Sequence, residues 1–206
     1  MAGRVLDRII IDLCQRCCQQ LWGFAPRMIA AIVANKGPLP AAAWFLANMP
    51  RYLMTLHVLG GIRTHLAGAT ISLANGCLYC AFGQLYAIEL IYLRDHSRLF
   101  PLDARLVADW LYLDRRELRH RLRCALQEAD LHAEAAWVDL TLAFLDGEQE
   151  PIDESELRLA HLVRMISETN RIAVLSGVSP DGPQNPVNKD SALKARHAEL
   201  RRAALS

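Results

Sequence analysis

A chain of 206 residues is long enough to bury one core and tight for two, so a single domain over 1–206 is expected. Apolar residues make up 52% of it and charged residues 22%, with a formal charge of +1, which excludes a disordered chain and gives no electrostatic reason to expect a nucleic-acid partner. Only five Phe, five Tyr and four Trp occur, and the longest β-branched run is RIIID at 8–12, so an all-α fold is predicted.

Residues 4–22 place Leu6, Ile10, Leu13, Cys17 and Leu21 at the spacing of an amphipathic helix with that stripe inward. Asp7, Arg8 and Asp12 interrupt the apolar stretch that a secretory leader or a lipoprotein signal around Cys14 would need, so a cytoplasmic protein is expected. A short apolar segment, Met28 to Ala34, follows between WGFAP and NKGPLP. Pro40 can open the next helix, Pro50 can end it or start another, and Gly60-Gly61 forms a break.

Between His65 and Glu89 there is no Asp, Glu, Lys or Arg, a gap long enough to cross a bilayer. Asn75, Gly76, Gln84 and two cysteines interrupt it, with Thr70 and Ser72 diluting it further, which suits a buried helix better than a lipid-facing one. No membrane association is predicted. Asn75 is the expected N-cap of a helix carrying Cys77 and Cys80 in its first turn. That helix should stop at Pro101 and Asp103, and further helices follow to about 146. Asp153 and Glu156 have capping-box spacing before a long helix, SGVSPDGPQNPVN is a loop, and a charged helix closes the chain.

The six cysteines point to thiol or metal chemistry rather than structural disulfides. At a helix N-terminus, free N–H groups and the helix dipole stabilise a thiolate, so C-x-x-C at 77–80 reads as a redox dithiol, with buried inert thiols as the alternative. Helix-terminus electrostatics favour Cys77 as the reactive member. Cys14, Cys17 and Cys18 read as buried or interface thiols on the first helix, and Cys124 as core. A zinc site joining Cys14, Cys17, Cys77 and Cys80 has far too long a spacer, so neither metal nor cofactor is expected. RRELRHRLR at 115–123 reads as a solvated helix face with Leu118 and Leu122 inward, rather than a DNA-binding helix, because nothing aromatic interleaves its charges. No Gly-rich phosphate loop, nucleophile-elbow serine or H-E-x-x-H occurs.

ISLANGCLYCAFGQLYAIE resembles the core of the AhpD-like alkylhydroperoxidase, or carboxymuconolactone decarboxylase-like, family, in which a Ser and an Asn-Gly precede C-x-x-C on a helix. LANMPRYLMTLHVLGGIRTHL is similar to the segment before it, so the resemblance covers about 40–95. It implies an all-helical bundle, here with C-terminal helices over about 103–206, often homo-oligomeric. The implied activity is reduction of a peroxide or disulfide substrate by Cys77 and Cys80, with recycling by a dithiol reductant protein and with Cys80 meeting the peroxide. Two positions depart from the family pattern. Gln84 stands where a His is usual and His65 where a Glu is usual, and those residues are thought to relay protons to the thiols. Gln84 cannot titrate but can hold water by hydrogen bonds, while His65 can titrate near neutral pH and serve as base. The mostly apolar surroundings suit organic hydroperoxides. The rival is a non-catalytic helical oligomer of the same fold with a degenerate relay.

Overall fold

The computed structural model describes residues 2–204, and within them every regular element is helical. The helices are α1 (Ala2–Trp22), α2 (Met28–Lys36), α3 (Pro38–Leu59), α4 (Gly61–Ala74), α5 (Leu78–His96), α6 (Arg115–Glu128), α7 (Ala135–Asp146), α8 (Glu154–Leu175) and α9 (Ser191–Ala203). Short 3₁₀ turns join them at Ala104–Tyr112, His132–Glu134 and Pro186–Lys189. The first of these was expected as an α-helix.

The charge-free stretch becomes the centre of the bundle. Residues 64–73 of α4 are buried without interruption, and α4 pairs with α5 while α3, α7 and α8 enclose it. A helical stretch free of charge on all sides, with its few polar side chains hydrogen-bonded, is what such a position requires. No described helix is long and apolar enough to cross a membrane. The hairpin between α4 and α5 is made by Asn75-Gly76. Gly76 adopts φ +68°, and the Gly76 and Cys77 N–H groups turn back to donate to Leu73 O at 3.1 Å and Ser72 O at 2.8 Å. This closes α4 in the manner of a Schellman turn. Asn75 therefore ends α4 rather than capping α5, and Cys77 itself is the N-cap of α5.

Pro50 lies inside α3 without ending it. Its missing N–H would have met the carbonyl of Leu46, and both residues are exposed, so water can serve that carbonyl. The inward face of α1 is only in part the expected one, with Ile10 and Leu21 packed against the core. Cys18 and Trp22 are buried, with Ile11 and Cys14 packed beside them, whereas Leu13 and Cys17 face out. The helix carries two apolar stripes, and the one ending in Trp22, the larger payload, is turned to the core. Cys124 is exposed as well, because Leu118, Leu122, Ala125 and Leu126 set the buried face of α6. The basic residues of α6 are solvated, with Arg119 and Arg123 paired to Asp139 and Arg121 to Glu117. The capping box at α8 forms in a shifted version. Asp153 Oδ1 accepts from Glu156 N–H at 2.8 Å, and Glu156 reaches back to Ile152 N–H instead of that of Asp153.

Candidate functional site

Because Cys77 is the N-cap, its backbone is extended (φ −100°, ψ 97°), and its sulfur is free to lie over the open end of the helix. Its Sγ accepts from Cys80 N–H at 3.5 Å. Both thiols are enclosed, at 1% exposure for Cys77 and 8% for Cys80, among Met28, Ile32, Val33, Ala41 and Ile172. A hydrogen bond from the Cys80 thiol, with those from the backbone N–H groups of Cys80 and Tyr79, holds Cys77 below the usual thiol range in spite of burial. The same shared bond, together with burial and the charge of Asp181, pushes Cys80 well above it. The two sulfurs are thus unequal, and when the pair loses a proton the negative charge falls on Cys77, at the helix terminus. Electrostatics single out Cys77.

Access singles out the other thiol. A cavity of about 60 Å³ lies between α1, α2, α3, α5 and α8, and Cys80 lines it while Cys77 does not. That is room for a few water molecules or one small organic molecule. Its wall is made largely of Trp, Phe, Tyr, Met and Ile side chains, and no Asp, Glu, Lys, Arg or His is part of it. Cys18, buried as expected for the CQRCC cluster, lines it too, but burial pushes its thiol up to about 12 and so keeps it protonated.

His65 and Gln84 are brought together. His65 is fully buried, with Nδ1 at 2.6 Å from Gln84 Oε1 and Nε2 at 2.7 Å from Asn185 Nδ2. Gln84 lines the cavity one turn beyond Cys80. Gly68 makes this possible, since a Cβ at that position would stand 2.6 Å from Gln84 Cδ. His65 is not the base with an ordinary titration that the sequence led us to expect. Burial depresses its pKa from 6.5 to about 4, against a smaller upward effect of the Gln84 hydrogen bond. Between pH 5 and 9 it stays overwhelmingly neutral, and thiol alkylation should show no inflection near 6.5 that His65→Gln removes. Its effect on stability has a definite sign. The unfolded state binds the proton at a higher pH than the folded state, so this contribution is complete above 6.5 and is lost as pH falls from 6.5 to about 4. The loss amounts to about 3 kcal/mol. Urea denaturation of the parent should show that fall, and His65→Gln, less stable at pH 7, should show a flatter profile.

Compared with family models, with curated proteins and with solved structures, the chain matches none. The site therefore stands on its own residues. Among the described residues no group of three or more His, Cys, Asp or Glu is placed to hold a metal ion. All six cysteines are free.

The sequence reading missed the segment that covers the site. Asp181 accepts from Arg27 N–H at 2.8 Å and from the hydroxyl of Tyr79 at 3.4 Å, and Tyr52 donates to Gln184 O at 3.0 Å. Gly182 and Gln184 consequently form part of the cavity wall. Within the segment read as a loop, Asn185 Oδ1 accepts from Val187 N–H. Nothing local signals that its amide meets a histidine 120 positions earlier.

Proposed function

We propose that this protein is a thiol-dependent peroxidase acting on small organic hydroperoxides through Cys77 and Cys80. The observation that carries the reading is a helix-capping thiol, held below the usual thiol range by a hydrogen bond from a second thiol and by backbone N–H groups, with that second thiol facing an apolar cavity. The AhpD-like resemblance of residues 40–95 supports it.

In the proposed cycle Cys77 takes the proton of Cys80, and the Cys80 sulfur attacks the terminal oxygen of R–O–O–H. The O–O bond breaks, leaving Cys80 as a sulfenic acid and releasing alkoxide, which takes the proton now on Cys77. The Cys77 thiolate then attacks the Cys80 sulfur, a disulfide forms, and the expelled hydroxide is protonated to water. A dithiol reductant restores both thiols by exchange, in keeping with a cytoplasmic setting. The neutral His65 takes no proton in this cycle, because Cys77 is the base.

One equivalent of tert-butyl hydroperoxide should remove two titratable thiols and yield a peptide carrying an intramolecular Cys77–Cys80 link by mass spectrometry. Both thiols remaining free, at peroxide levels that oxidise other reactive cysteines, would overturn the reading in favour of a non-catalytic helical protein.

The reading includes a homo-oligomer. Val5, Ile9 and Leu13 stand 55–64% exposed at four-residue spacing along α1, a stripe that no described element covers. Light scattering at micromolar concentration should find more than one chain per particle, and Leu13→Glu should shift the particle towards monomer. A parent that is already monomeric removes the oligomer from the proposal.

A further inference from the structure

A chain of hydrogen bonds fixes which way Gln84 faces. Asn185 Oδ1 is committed to the N–H of Val187, at 2.9 Å, so the group that Asn185 turns to His65 is its NH₂. His65 Nε2 must then accept, which places the ring proton on Nδ1, and Nδ1–H donates to Gln84 at 2.6 Å. The oxygen of Gln84 is thereby its acceptor towards His65, and the amide NH₂ is the end left over. No group of the described residues pairs with that nitrogen, and it is not fully enclosed. Gln84 lines the cavity beside Cys80.

Four other polar side chains there are engaged elsewhere. Asn48 donates to Trp44 O and accepts from His161, the hydroxyl of Thr169 donates to Met165 O, and Tyr52 and Tyr79 donate to the covering segment. The cavity therefore offers the oriented, unoccupied N–H donor of Gln84 next to a thiol, inside an uncharged apolar wall to which the unpartnered indole N–H of Trp22 also belongs. An anionic ligand would be stripped of water there with no cation to meet it. A neutral ligand with an accepting oxygen and a small alkyl group would lose little.

We infer that the Gln84 amide is the oxygen-binding group of this site, donating to the substrate oxygen that carries the alkyl group, and that it selects uncharged alkyl hydroperoxides over carboxylate-bearing ones. The inference rests on the peroxidase reading for its catalytic part. When the Cys80 sulfur bonds the terminal oxygen and the O–O bond breaks, the electron pair goes to the alkoxide oxygen. Gln84 strengthens its hydrogen bond to that oxygen until the proton from Cys77 arrives and the alcohol leaves. Gln84 supplies no proton, so its contribution is electrostatic.

The first test uses the unmodified reduced protein. Titration with tert-butanol, which is unreactive, should shift the side-chain amide ¹⁵N–¹H signals of Gln84 saturably, with a smaller response from tert-butylacetate at equal concentration. A Gln84 amide that does not move, or an equal response to the carboxylate, overturns the inference. The second test is turnover of tert-butyl hydroperoxide by Gln84→Met, normalised to the titrated thiol pair. The expected result is a fall in kcat of about 10²-fold with KM little changed, and a kcat equal to the parent's overturns the catalytic part. A parent that consumes no peroxide at all rejects the peroxidase reading and the catalytic part with it, while the titration still decides whether the oxygen-binding site exists.

Discussion

Cys80→Ser is expected to lower peroxide consumption by at least about 10³-fold, because a serine hydroxyl is a far weaker nucleophile and too weak an acid to give its proton to the Cys77 thiolate. Cys77→Ser should fail differently. Cys80 would keep its place at the cavity but lose the thiolate that takes its proton, so attack slows, and any sulfenic acid that forms has no partner to close on. A sulfenic-acid trap should therefore label Cys80 in Cys77→Ser and label nothing in Cys80→Ser. Labelling of Cys77 in Cys80→Ser would reverse the assignment. It would mean that the more acidic sulfur reaches peroxide in spite of its burial.

Arg201→Ala is expected to destabilise the fold by about 3–5 kcal/mol, the cost of leaving a buried carboxylate without its partner. Arg201 reaches from α9 to the side chain of Glu89 on α5, and its Nη2 also donates to Phe100 O at 2.8 Å and Leu102 O at 2.5 Å. Glu89 is almost fully buried, so its removal from water is offset chiefly by this contact, with Ala104 N–H donating to the same carboxylate at 3.4 Å. A loss of that size is a large share of the 5–15 kcal/mol that separates folded from unfolded domains. Urea denaturation should show it, and Arg201→Met combined with Glu89→Leu should recover most of it, since the buried carboxylate is then removed together with its partner and the other ion pair lost is the weaker contact of Arg201 to Asp103, at 3.8 Å. A single variant within about 1 kcal/mol of the parent would show that α9 is not anchored here.

The same pair shows where reading the sequence stops. The C-terminal segment is charged and helical, as its composition indicates, but its inner face is Leu193, His197 and Arg201, two of them polar. Their burial depends on a glutamate 112 positions away, which no local pattern reports. The all-α class was legible because Gly, Pro and capping residues punctuate three-to-four periodicity along the chain. The dithiol's place at a helix start was legible too, although Asn75-Gly76 ends the preceding helix and hands the capping position to Cys77 itself. On α1 two stripes satisfied the same periodicity, and only the packing of Trp22 chose between them. The chemistry of His65 was the least legible, because its pKa is set by complete enclosure and its tautomer by Asn185, a residue from a loop far along the chain.

Gly68 has a consequence for how this protein can vary. A glycine inside α4 forgoes about 1 kcal/mol relative to alanine, yet a methyl group there would collide with the side chain of Gln84 at 2.6 Å. The two positions are therefore free to drift only together. In natural homologues a residue with a side chain at 68 should appear with a shorter one at 84, and a bulky residue at both should be absent. Grafting Gln84 into a homologue that carries alanine at 68 should require the glycine to travel with it.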